Sequence, residues 1–104
     1  MEKKTVDVII PVYRPGEGWK QMLCGLEGQT WPVHRLIVMN TGKENWKAAY
    51  EKTTIPMEVH HLTREEFDHG KTRDQAARMS RADYLLFMTQ DALPEDCHLI
   101  EKLV

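Results

Sequence analysis

The chain has 104 residues, 41% of them apolar and 29% charged, and a formal net charge of −2. That length suits one small core rather than two, and the 14 Lys and Arg residues are scattered instead of forming the basic stripe that a nucleic-acid surface needs. No apolar run approaches the ~20 residues of a membrane helix, and the opening Met-Glu-Lys-Lys-Thr lacks a signal peptide's apolar segment, so the expectation is a soluble, cytoplasmic chain.

The elements follow a regular rhythm. "VDVIIPV" (6–12) is β-branched and apolar and runs into Tyr13-Arg14-Pro15-Gly16, which predicts a buried strand ending in a turn. "GWKQMLCGLEGQ" (18–29) places Trp19, Met22, Leu23 and Leu26 at i, i+3, i+4 and i+7, a helical stripe with Gly28 as its stop. "HRLIVMN" (34–40) predicts a second strand before the turn residues Thr41-Gly42, and "ENWKAAYEK" (44–52) a helix. "MEVHHL" (57–62) alternates as a third strand, "KTRDQAARMS" (71–80) is rich in helix formers, and "ADYLLFMT" (82–89) predicts a fourth strand. "PEDCHLIEKLV" (94–104) opens a last helix with proline and acids in its first turn.

Strand and helix alternating in this way demand crossover connections. The fold class is therefore α/β, a three-layer α/β/α arrangement around a mostly parallel sheet, with strand order 3-2-1-4. The final helix has no stop signal before Val104, as in a chain cut partway through a larger design. Cys24 and Cys97 have no partner motif, and His60 and His61, adjacent in a strand, point to opposite faces, so neither pair chelates a metal. Trp19, Trp46 and Phe87 are expected in the core.

Open parallel sheets bind ligands beyond the carboxyl ends of their strands. Those ends carry Pro11, Val12, Tyr13 and Arg14; Asn40, Thr41 and Gly42; Phe67-Asp68-His69-Gly70 with Arg73 a turn later; and Thr89, Gln90 and Asp91. Amides for a base, arginine for phosphate and a carboxylate for a divalent cation suit a nucleoside diphosphate. "LLFMTQDALP" (85–94) has two readings at Asp91: a helix cap before Pro94, or a ligand at the sheet's edge. Neither GxGxxG nor GxxxxGK[ST] occurs, so no phosphate loop is present.

"VDVIIPVYRP", "RLIVMNTG", "FDHGKTRDQAA" and "ADYLLFMTQDALP", in this order, resemble the nucleotide-binding half of a family 2 glycosyltransferase of the GT-A fold. The last two segments are most similar to the rhamnosyltransferase branch. The resemblance covers essentially the whole chain and implies that residues 1–104 form the nucleotide-sugar-binding half, with the acceptor-binding half absent. It implies a nucleoside-diphosphate sugar, dTDP-rhamnose or a UDP-sugar, for inverting transfer to a glycan or lipid-linked acceptor in cell-surface polysaccharide synthesis, at the inner face of the membrane. Pro11, Val12 and Tyr13 would flank base and ribose. Asn40 would hold the base edge beside Thr41 and Gly42, His69 and Gly70 would shape the loop before Arg73, and Gln90 would precede Asp91, the ligand of Mg²⁺ or Mn²⁺.

Three departures stand out. Asn40 lies where paired acids are usual, Thr89 replaces the first acid of the DxD motif, and Asp74 follows the arginine where Asn is common. The catalytic base is expected beyond Val104, and this fragment alone is expected to be inactive. A sugar nucleotidylyltransferase would want a Gly-rich loop with a GxxxR pattern after strand one, and "VYRPGEGW" has none. Among non-catalytic α/β binding modules, the other alternative, one of receiver type would want an acid pair near the end of strand one and an Asp ending strand three, where Val-Tyr and His-Leu-Thr stand.

Overall fold

The computed structural model describes residues 4–90 and 97–103. Strands β1 (Val6–Tyr13), β2 (Arg35–Thr41), β3 (Met57–Leu62) and β4 (Tyr84–Phe87) alternate with helices α1 (Gly18–Glu27), α2 (His69–Met79) and α3 (Leu99–Leu103). All strand pairs are parallel and the order is β3-β2-β1-β4, as the sequence predicts.

The continuous apolar run of β1 exists because both of its faces are covered, the usual condition of a parallel sheet. Val6, Val8, Ile10 and Val12 pack with Trp19, Met22, Leu23 and Leu26 of α1 and with Ile100 of α3. Ile9 faces the other way, with Ile37, Met39 and Ala76 of α2. This gives the three layers. At the amino-terminal edge, the fully buried Asp7 carboxylate accepts from Ser80 Oγ at 2.6 Å and lies 2.9 Å from His34 Nδ1 and 3.5 Å from Arg35 Nη2. Arg35 also donates to Met79 O at 2.8 Å and to Glu58 at 2.6 Å, so the network ties the end of α2 to the sheet.

Several expectations are corrected. Residues 44–52 do not form one helix but two 3₁₀ turns, Lys43–Asn45 and Ala48–Glu51, with Trp46 and Lys47 extended between them. Packing overrides helix propensity here: the break carries the Trp46 ring to 5.7 Å from Trp19, 5.2 Å from Tyr50 and 6.3 Å from His61, all edge-on. Helix α2 starts earlier than expected because Asp68 caps it, Oδ1 accepting from Lys71 N at 2.9 Å, so His69 and Gly70 form its first turn rather than a loop. Strand β4 is shorter than 82–89, since Asp83 is held by Thr5 (N to Oδ2, 2.8 Å) and the chain leaves β1 after Phe87. Phe87 is not core: on this edge strand it is 40% exposed. Of the expected 94–104 helix, α3 forms Leu99–Leu103 after a turn at 97–98, and residues 91–96 lie outside the described residues. Among the described residues, no helix is long and apolar enough to cross a membrane.

Candidate functional site at the carboxyl edge

The site arises where β1 and β4 part. Their pairing ends at Ile9–Phe87, and Met88 N–H donates to Ile9 O at 3.0 Å. Backbone polar groups alternate sides along a strand, so residues 11 and 13 direct theirs toward β4 as Ile9 does. Pro11 has no N–H to leave unpaired, and Tyr13 N–H donates instead to Gln90 Oε1 at 2.6 Å. The sheet therefore opens at Pro11 without stranding a donor.

The gap is a cavity of about 480 Å³. Pro11, Val12, Tyr13, Phe67 and Met88 give it apolar walls, and Thr41, Arg64, Arg73, Thr89 and Gln90 supply polar groups. Apolar walls with a few convergent polar groups suit a small flat ligand, and the two guanidiniums suit an anionic one. A second cavity of about 630 Å³ shares Tyr13 and Arg64 and is bounded by Arg14, Gly42, Lys43, Glu44 and His61 among others. The Tyr13 ring has the Arg14 guanidinium at 5.2 Å and that of Arg64 at 5.0 Å, while Arg73 lies 5.6 Å from the Phe87 ring, all cation–π distances. Arg14 has φ +48°, a left-handed backbone that costs a non-glycine residue about 1–3 kcal/mol.

Arg64 is held by its neighbours. Thr63 N–H donates to Glu66 Oε1 at 2.9 Å and Glu66 N–H returns a bond to Thr63 Oγ1 at 3.2 Å, the reciprocal pattern of a capping box. The Thr63 backbone bond foremost, and its hydroxyl next, hold the Glu66 carboxyl below the usual carboxylate range.

Of the expected site residues, Pro11, Val12, Tyr13, Thr41, Arg73 and Gln90 meet at the first cavity, and Gly42 lines the second. Thr41 Oγ1 is buried and has no hydrogen-bond partner. Gly42 has φ +89°, and a Cβ there would meet Asn45 Nδ2 at 2.9 Å, so the turn requires glycine. Asn40 is fully buried and lines neither cavity; its Nδ2 donates to Gly42 O at 3.1 Å and lies 3.1 Å from His61 Nδ1. Its amide holds the turn from beneath. Gly70 also lies outside both linings, and Asp91 falls outside the described residues. Arg64 and Met88 are additions; "TREE" immediately after β3, with the spacing of a capping box, was the available signal for Arg64.

The described lining of the first cavity offers a divalent cation only neutral side-chain oxygens, of Thr41, Thr89, Gln90 and Tyr13, beside guanidiniums. No group of three His, Cys, Asp or Glu residues able to hold a metal exists among the described residues. That donor set does not fit Mg²⁺ or Mn²⁺, which favour carboxylates; Asp91, the ligand the resemblance implies, lies outside the described residues.

The profile of glycosyl transferase family 2 matches residues 7–104. The chain is 31% identical over 100 residues to the O-antigen chain rhamnosyltransferase RfbN of Salmonella typhimurium, covering 95% of this chain and 32% of that protein. It is 27% identical over 103 residues to the O-antigen chain rhamnosyltransferase WbaN of Salmonella anatum, covering 93% and 31%. This chain thus spans about a third of the length of these relatives. Among solved structures, S. aureus TarS 1–349 superposes with TM-score 0.80 at 20% identity over 95% of this chain and 31% of its own. The same protein in complex with UDP superposes with TM-score 0.67 at 17% identity, covering 95% and 30%. These likenesses bear out the GT-A fold expected from the motifs, and the family match over nearly the whole length shows that the chain belongs to glycosyl transferase family 2.

Proposed function

We propose that this chain binds a nucleoside-diphosphate sugar at the opening between β1 and β4 and serves as the donor-binding half of an inverting glycosyltransferase. The observation that carries this reading is the cavity itself, which gathers six of the expected residues around apolar walls and two guanidiniums. Its support is the family membership together with relatives named as O-antigen rhamnosyltransferases and a fold neighbour solved with UDP. On this reading the donor is dTDP-rhamnose or a UDP-sugar, and the acceptor is a glycan or lipid-linked glycan of cell-surface polysaccharide synthesis, on the cytoplasmic side of the membrane.

Each group has a task. Pro11, Val12 and Phe67 exclude water from the base, Tyr13 borders it, and the Thr41 hydroxyl meets a polar edge. Arg73 faces the phosphates. The divalent ion of this reading belongs to Asp91 and would supply charge neutralisation for the departing diphosphate. The acceptor site and catalytic base belong to further polypeptide: β4 is an edge strand with Tyr84 exposed on one side of the sheet and Leu85 and Phe87 on the other, an edge suited to continued packing.

Calorimetry with dTDP and UDP tests donor binding, and incubation with donor and acceptor tests transfer. Binding no tighter than micromolar and no transfer are expected from residues 1–104. Absence of binding to either nucleotide at millimolar concentration overturns the donor site, and measurable transfer refutes the placement of the base elsewhere.

A further inference from the structure

We infer that Arg64 is a diphosphate-binding residue, acting with Arg73, so that part of the affinity for the nucleotide needs no metal ion. This rests on the nucleotide-sugar reading above and adds to it a residue that the motifs do not contain.

The first ground is pairing. Arg35 is engaged with Asp7 and Glu58, and Arg78 with Asp74. Arg14, Arg64 and Arg73 have no carboxylate partner among the described residues and lie against aromatic rings instead. A guanidinium held beside a ring rather than by a carboxylate keeps its fork of N–H donors for a bidentate acceptor. Phosphate oxygens match that fork.

The second ground is location. Arg64 stands on the wall common to both cavities. The second cavity balances Arg14, Lys43 and Arg64 with Glu44, Glu65 and Glu66. The first holds Arg64 and Arg73 with no acid in its described lining. An anion is therefore drawn to the first cavity, where a base has apolar walls to rest on.

The third ground is preorganisation. The reciprocal Thr63–Glu66 bonds fix the loop that carries Arg64 before any ligand arrives. A solvated surface arginine needs no such support.

The test is calorimetry in EDTA on the full chain, comparing UDP with uridine, dTDP with thymidine, and inorganic pyrophosphate alone. Wild type is expected to prefer each diphosphate to its nucleoside. Arg64→Gln should lower diphosphate affinity about tenfold or more, the worth of a charge-assisted hydrogen bond. Nucleoside affinity should hold and the salt dependence should weaken, while Arg64→Lys recovers part of the loss. Equal loss for nucleoside and diphosphate overturns the inference in favour of a wall for the base, and no change for either overturns it in favour of a solvated side chain. Wild type binding pyrophosphate through Arg64 but no nucleotide would support the anion site and overturn the nucleotide reading instead. Arg64 is exposed, so circular dichroism should show these variants folded.

Discussion

Replacing Asp7 separates the scaffold from the site. Burying a carboxylate completely costs several kcal/mol, which its partners must offset. Here the offset comes from Ser80 Oγ at 2.6 Å, His34 Nδ1 at 2.9 Å and, more weakly, Arg35 Nη2 at 3.5 Å. In Asp7→Asn the arginine is not stranded, because Glu58 at 2.6 Å and Met79 O at 2.8 Å still hold it. The His34 side chain is 56% exposed and can turn to water. The loss is then that of charge-assisted hydrogen bonds, about 1.5–3 kcal/mol, below the 3–5 kcal/mol or so of a pair broken with a charge left buried. For a domain near this size that is a fall in Tm of about 10 °C. Asp7→Ala, which also empties the space, should cost more. Urea unfolding with matched m-values measures the loss. Nucleotide affinity should not change in either variant, since four residue steps of β1, about 13 Å, separate Asp7 from Pro11, where the cavity begins on that strand. Asp7→Asn unfolding at the wild-type urea concentration would mean that desolvation cancels the partners and refute the anchoring role.

Three further outcomes are expected. Gln90→Met keeps the length of the side chain but removes the acceptor for Tyr13 N–H; nucleotide affinity should fall about two- to tenfold, a net hydrogen bond's worth, and unchanged calorimetric titrations would sink the tie as a positioning device. Asp91→Asn should leave folding intact, because Asn caps about as well as Asp, and should remove the Mn²⁺-dependent part of nucleotide affinity; retention of that part returns Asp91 to capping. The carboxyls of Glu27 and Asp83 are held below the usual range, foremost by backbone N–H groups of Thr54 and Thr5. Their contribution is therefore complete above the ordinary carboxylate value and is lost as pH falls through the depressed folded values. Denaturation midpoints should be flat from neutrality down to about pH 5 and then drop, with a shallower drop in Glu27→Gln/Asp83→Asn; an identical acid limb in that variant contradicts the assignment.

Local chemistry by itself determined a good deal. β3 occupies the very residues whose alternation predicts it, 57–62, and the apolar run of β1 foretold a strand buried on both faces. Parallel order and the gathering of Pro11, Tyr13, Thr41, Arg73 and Gln90 at one edge followed from crossover rules and motif order, because both depend only on what succeeds what along the chain. Tertiary structure decided the rest. The Trp46 segment has helical composition but is drawn out to reach Trp19 and His61, contacts that no local window contains. Phe87 is apolar yet exposed because its strand lies at the edge, and Asn40 is polar yet buried because its amide serves the Gly42 turn. Arg64 enters the site only because the β3–α2 loop folds back over Tyr13, a residue 51 positions earlier in the chain. Pro11 shows both sources at once: its missing N–H is written in the sequence, but that this absence opens the sheet depends on which strand lies alongside.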